Sequence, residues 1–206
     1  MNDKITIINY QMGNLLSVAK KVKQLGVDYE ITSNPQDILK AKKIILPGVG
    51  HFGMAMENLN KLNLIYALDE AVLENKIPVL GICLGMQLMA KRSEEGNVEG
   101  LGWFDAEVKK LIVSDTIKYK IPHIGWNTVS LSKDSRLMTD ISNESEFYFV
   151  HAYHVQCHDA KDVLNTTIYD KAFVSAIEKE NIFGVQYHPE KSHAEGQKLF
   201  VNFIKL

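Results

Sequence analysis

Residues 79–87 read Val79-Leu80-Gly81-Ile82-Cys83-Leu84-Gly85-Met86-Gln87, an apolar run that ends in a cysteine flanked at short range by two glycines. The run from Pro78 to Ile82 predicts a buried strand, and Leu84 to Lys91 continues at helical spacing. A strand that turns sharply into a helix through small residues exposes the side chain at the turn, which is the layout of a nucleophile elbow. Cys83 stands at that turn, where the N-terminus of a following helix favours thiolate over thiol. A buried structural cysteine is the alternative, since free cysteines are commonly core residues. The flanking glycines count against it.

N-terminal to this run, Ile5 to Ile8 predicts a strand, Gly13-Asn14 a turn, and Leu15 to Leu25 a helix closed by Gly26. Val27 to Thr32 and Lys43 to Leu46 predict two more strands, the second running into the tight loop Pro47-Gly48-Val49-Gly50. One long helix is expected from about Gly53 to Asn75. Strands alternating with helices imply an α/β fold, a sheet largely parallel and covered by helices on both faces. Beyond Gly96 the pattern changes. Glu107 to Val113, Asn127 to Leu131 and Phe147 to Cys157 read as strands without long helices between them, so the sheet is mixed. Phe173 to Glu178 and Ile182 to Gln186 predict a hairpin, and His193 to Leu206 a closing helix.

The chain has 206 residues, 46% apolar and 23% charged, without a linker or repeat, which fits a single domain over 1–206. Lys plus Arg number 23 against 25 for Asp plus Glu, a formal charge of −2, so a nucleic-acid partner is not expected. Two cysteines are too few for a disulfide scaffold, and MNDKITIINY lacks the features of a secretion signal, which predicts a cytoplasmic protein. No apolar stretch reaches the roughly 20 residues of a membrane span.

A nucleophilic cysteine needs a base. Tyr187-His188-Pro189-Glu190-Lys191-Ser192 follows the strand Ile182 to Gln186, and the proline bends the chain so that Glu190 can turn back to orient the His188 imidazole. By itself the tripeptide His188-Pro189-Glu190 fits a surface turn equally well.

Taken together, the GICLGMQ elbow, the PGVG loop and the GVQYHPE segment resemble the class I, triad-type glutamine amidotransferases along nearly the whole chain. Within them the chain is most similar to the glutaminase subunits of imidazole glycerol phosphate synthase, through Met12-Gly13-Asn14-Leu15, Pro47-Gly48-Val49-Gly50, Pro122-His123-Ile124-Gly125-Trp126-Asn127 and His188-Pro189-Glu190-Lys191-Ser192. The resemblance implies the flavodoxin-like fold of that class and no cofactor or metal. It implies that Cys83 attacks the amide of glutamine, that His188 takes its proton and passes it to departing ammonia, and that Glu190 orients the ring. The backbone N–H of Leu84 and one from Val49 or Gly50 would hold the oxyanion. Gln87, Glu95 and His151 match the glutamine pocket. Asn14, Trp126, Tyr148 and Lys191 match a face that docks on a separate (β/α)8 barrel cyclase. That partner would receive the ammonia and make imidazole glycerol phosphate and an aminoimidazole carboxamide ribotide in histidine biosynthesis.

Competing signals are present. Gly48-Val49-Gly50-His51-Phe52-Gly53 satisfies a dinucleotide-binding pattern with Asp69 and Glu70 downstream, but it does not follow the first strand and carries Pro47 before it. His151, His154, Cys157 and His158 suggest zinc, yet alternation on a single strand would point them to opposite faces, so a strand with surface histidines is preferred. Gln11 stands where a glycine is commoner in the subfamily, and Ala152 and His154 replace its usual residues after His151. These departures bear on the acceptor of the ammonia, leaving open a paralogous subunit for amidino-sugar synthesis. A non-catalytic regulatory module of the same fold, or a cysteine peptidase, would be a different class of protein; retention of Cys83, His188 and Glu190 counts against the former.

Overall fold

The apolar run Val79–Ile82 forms β4 at the middle of a twelve-stranded mixed sheet in the computed structural model, which describes residues 4–206. Residues 1–3, part of the N-terminal stretch read above for a leader, lie outside the described residues. In chain order the elements before it are β1 (Ile5–Ile8), α1 (Leu15–Gln24), β2 (Tyr29–Thr32), α2 (Pro35–Ile38), β3 (Lys43–Leu46), α3 (Phe52–Lys61) and α4 (Leu64–Asp69). After it come α5 (Leu84–Leu88), β5 (Ala90–Ser93), β6 (Val98–Glu99), β7 (Phe104–Lys110), β8 (His123–Thr128) and β9 (Ser130–Leu131). The chain ends with β10 (Glu146–His151), β11 (Tyr153–Cys157), β12 (Val163–Tyr169), β13 (Lys171–Lys179), β14 (Ile182–Val185) and α6 (His193–Lys205).

The sheet runs β2-β1-β3-β4-β14-β13-β11-β7-β5-β6, parallel from β2 to β14 and antiparallel from β14 through β13 and β11 to β7. Strands β8 and β10 pair separately as a two-stranded ribbon. Alternation along the buried strands sorts the core into two layers. Ile44 and Leu46 pack with Leu59, Leu64 and Leu68 of α3 and α4, whereas Ile45, Leu80 and Ile82 pack with Val18 and Val22 of α1 and Leu199, Phe200 and Phe203 of α6. Each fully buried side chain of this kind contributes about 1.5–3 kcal/mol. Among the described residues no helix is long and apolar enough to cross a membrane.

The structure revises several of these expectations, the strand expected over 127–131 among them, which divides between β8 of the ribbon and β9 of the sheet. The helix expected over 53–75 is broken, because Asn63 adopts a left-handed conformation (φ 56°), and the chain resumes as α4 followed by a single π-helical turn, Glu70–Glu74. The helix after the elbow stops at Leu88, since the backbone of β5 is claimed by parallel pairing with β7. The strand expected over 147–157 divides at Ala152 into β10, which belongs to the ribbon, and β11, which belongs to the sheet. Strand β12 was not foreseen, because a register shift around Asn165 disrupts its alternation.

Candidate active site

Cys83 links β4 to α5 with φ 53° and ψ −106°, a conformation that costs an ordinary residue about 1–3 kcal/mol. The surroundings enforce it. A Cβ at Gly85 would come within 1.7 Å of the Leu46 carbonyl oxygen, so only glycine lets α5 lie against β3. The Cys83 N–H donates to the Val185 carbonyl at 2.7 Å, which ties the elbow to the end of β14, just ahead of His188.

His188 and Glu190 have no side-chain exposure, and His188 Nδ1 lies 2.7 Å from Glu190 Oε1. A carboxylate can only accept, so Nδ1 carries the proton in this bond and Nε2 is left free. Nε2 is in fact one of four buried side-chain polar atoms without a hydrogen-bond partner among the described residues; Glu190 Oε2 is another. Burial disfavours protonation of the His188 ring, but the charge of a Cys83 thiolate and the Glu190 carboxylate outweigh it and raise its pKa to about 10. The backbone around the ring is fixed by His188 N–H to the Tyr148 carbonyl (2.8 Å), Ser192 Oγ to the His188 carbonyl (2.6 Å) and Tyr148 N–H to Ser192 Oγ (3.0 Å). The structure therefore brings the three residues of the expected triad to one place.

Cys83 opens onto a cleft of about 440 Å³ lined also by Val49, Gly50, Leu84, Gln87, Glu95, His151 and Lys191. A small amino acid fits within such a volume. Gln87 Nε2 donates to the Tyr153 carbonyl (2.9 Å) and to Gln186 Oε1 (3.0 Å), which leaves its Oε1 as the acceptor for an incoming group. Glu95 Oε2 receives the Phe52 N–H at 2.8 Å.

Two residues of the expected pocket behave differently. His151 lines the cleft but keeps neither ring nitrogen for a ligand: Nδ1 donates to the Tyr153 carbonyl (2.9 Å), and Nε2 faces His123 Nδ1 at 3.1 Å. Burial lowers the pKa of His151 to about 3 and that of His123 to about 4, so the rings are neutral and His123 is the donor. The Leu84 N–H, expected at the oxyanion, instead donates to the Gly48 carbonyl at 3.3 Å. In this state of the loop that donor is taken.

Tyr10 and Gln186 were missed in the sequence. The buried Tyr10 hydroxyl donates to the Pro47 carbonyl at 2.5 Å and anchors the PGVG loop; burial, with the Cys83 charge second, raises its pKa and keeps it protonated. Gln186, in the bend between β14 and His188, reaches the nucleophile, with Nε2 3.5 Å from Cys83 Sγ. Its place in the GVQYHPE segment was the available signal.

Of the residues expected on a docking face, Trp126 and Tyr148 are cross-strand partners in the ribbon, their rings edge to face at 5.9 Å, and Lys191 Nζ stands 5.6 Å from the Tyr148 ring. Asn14 joins the triad directly, as its Nδ2 donates to Glu190 Oε1 at 2.5 Å.

Asp69, at the end of α4, receives the Trp103 indole N–H at 2.7 Å, and within the glycine-rich segment His51 caps α3 by accepting the Gly53 N–H at 3.1 Å. His151 is buried in the ribbon, not on the surface, and His158 pairs with Asp105 at 3.0 Å. No group of three or more His, Cys, Asp or Glu among the described residues is placed to hold a metal ion.

The family model for class-I glutamine amidotransferases matches residues 6–206. A protein from Methanococcus maripaludis, imidazole glycerol phosphate synthase subunit HisH 2, is 50% identical over 98% of each chain. Subunit HisH 1 from Campylobacter jejuni is 48% identical over 98% of this chain and 100% of its own. Among solved structures, the glutaminase domain of Trypanosoma brucei CTPS with bound acivicin superposes with a TM-score of 0.66 at 20% identity, covering 98% of this chain and 94% of that one. The multi-strand sheet with its flanking helices is thus the fold of these glutaminases, and the chain belongs to the class-I glutamine amidotransferase family, among the HisH subunits.

Proposed function

We infer that the chain is the glutaminase subunit of an imidazole glycerol phosphate synthase. It hydrolyses glutamine to glutamate and ammonia and works with a cyclase subunit in histidine biosynthesis. The observation that carries the chemistry is the buried pair His188 and Glu190, 2.7 Å apart, beside a cysteine held at a strained elbow on the wall of a cleft of about 440 Å³.

Cys83 attacks the side-chain amide carbon of glutamine. His188, protonated at Nε2 and held by Glu190 at Nδ1, gives its proton to the departing ammonia, leaving a glutamyl thioester. Neutral His188 then takes a proton from water as it attacks the thioester carbon, and the sulfur leaves with the electron pair of the C–S bond. Gln87 Oε1 and Glu95 are suited to the substrate α-ammonium group. His151 shapes the wall without bonding the ligand. The oxyanion needs the Gly48-Val49-Gly50 loop to turn, since that motion frees the Leu84 N–H and presents an N–H from Val49 or Gly50.

Trp126, Tyr148 and Lys191 form the docking face for a (β/α)8 cyclase, and a loop that must turn before the oxyanion can be held is where docking would act on hydrolysis. The whole of 1–206 serves as one catalytic domain, with the ammonia acceptor on the other chain.

The test is glutamate release by purified protein mixed with the cyclase subunit. Cys83→Ala should abolish release and leave the thermal midpoint within a few degrees, while acivicin should label wild-type Cys83. Glutamate release by Cys83→Ala at the wild-type rate would overturn the assignment.

A further inference from the structure

Gln186 is fully buried, and its Nε2 stands 3.5 Å from the sulfur of Cys83, a contact that the triad does not account for. The orientation of its amide is dictated by its neighbours. A backbone carbonyl can only accept, so the end of Gln87 that meets the Tyr153 carbonyl at 2.9 Å is Nε2. The second Nε2 proton of Gln87 goes to Gln186 at 3.0 Å, so the atom receiving it is Oε1. The end of Gln186 turned to Cys83 is therefore the NH₂ group. A flipped Gln186 would set two donors against each other, losing the bond to Gln87, and would put against the sulfur an oxygen that cannot donate to a thiolate.

The same carbonyl also receives His151 Nδ1–H, at 2.9 Å, so two buried side chains converge on it and hold it in place. Helix α5 has only five residues, so its amides alone give the sulfur less help than a long helix would.

We propose that Gln186 is a further catalytic residue: its amide donates to the Cys83 sulfur, aims it into the cleft and stabilises it when it is anionic. That happens twice, in the thiolate before attack and in the leaving group when water breaks the C–S bond of the thioester. Gln87 acts through it as a positioning residue, besides facing the cleft. The proposal rests on Cys83 being the nucleophile.

The test uses the full chain with Gln186→Met, which keeps the volume and removes the donor, and Gln186→Asn, which keeps an amide too short to reach. Iodoacetamide alkylation of Cys83, separated from Cys157 by peptide mass, is followed against pH, together with kcat and KM for glutamine and the thermal midpoint. Each folded variant should be alkylated about tenfold more slowly at pH 7, with its profile displaced to higher pH. Its kcat should fall about tenfold with KM within twofold. Wild-type alkylation rate and profile in either folded variant would overturn the proposal. In the wild type, the side-chain amide protons of ¹⁵N-labelled Gln186 should shift over the same pH range as alkylation; if they do not, the proposal fails whatever the variants do. Glutamate release by Cys83→Ala would instead overturn the functional assignment and leave the alkylation result standing.

Discussion

Asn14 Nδ2 and His188 Nδ1 converge on the same oxygen of Glu190, at 2.5 Å and 2.7 Å respectively. Asn14 precedes α1 and stands in a left-handed conformation (φ 80°), so the turn that starts the helix also delivers the amide to the carboxylate. The start of α1 and the carboxylate of the triad are thereby joined by one hydrogen bond.

Removing that amide should weaken the hold on Glu190 without touching the substrate. Asn14→Ala is expected to lower kcat for glutamine about tenfold with KM nearly unchanged, and Asn14→Asp to lower it further by setting two carboxylates together. Steady-state glutamate release with and without the cyclase subunit checks both.

Gly85→Ala should destabilise the protein by about 2–3 kcal/mol or more, because the new methyl group would sit 1.7 Å from the Leu46 carbonyl oxygen and no side chain can give way. Urea denaturation measures the loss. Activity should fall with it, as relief of the clash moves the elbow.

Tyr10→Phe keeps the buried ring and loses the donor to the Pro47 carbonyl, at a cost of about 1–2 kcal/mol. Hydrogen exchange at Val49 and Gly50 should become faster relative to β4, since the loop loses its anchor at the Pro47 end. Exchange unchanged at those two amides would show that the loop is held elsewhere.

Acid should unfold the protein through His123 and His151. Their pKa values fall from 6.5 to about 4 and about 3 on burial, so between pH 6.5 and 4 the unfolded chain binds the more protons and stability drops as pH drops. Two such groups lose about 3 kcal/mol between pH 6.5 and 5. His188 has the opposite sign. Its raised pKa adds stability that is complete below pH 6.5 and disappears as pH climbs through about 10. Urea midpoints at pH 5, 6.5 and 9 should therefore peak at the middle value.

Local pattern sufficed where a segment has one stable way to be buried. Ile5–Ile8 and Lys43–Leu46 are apolar runs that only a covered strand accommodates, and both appear with the expected bounds. The elbow was legible for the same reason, since glycines on either side of a cysteine permit the bend. His188 and Glu190 were legible through their spacing and the intervening proline.

What the sequence determined by itself is the chemistry in short range: the α/β order of elements, the elbow, and a histidine and a carboxylate two residues apart. Only the tertiary structure decided how distant groups orient one another. It divided 146–157 at Ala152, turning His151 into the ribbon and His154 into the sheet, because β8 and β7 each claimed part of that backbone. It put Asn14 on Glu190, 176 positions away, and it oriented Gln186 through Gln87 and the Tyr153 carbonyl. Hydrogen-bond polarity in a buried network depends on which carbonyl lies at its end, and that is a property of three-dimensional packing with no signature in local sequence.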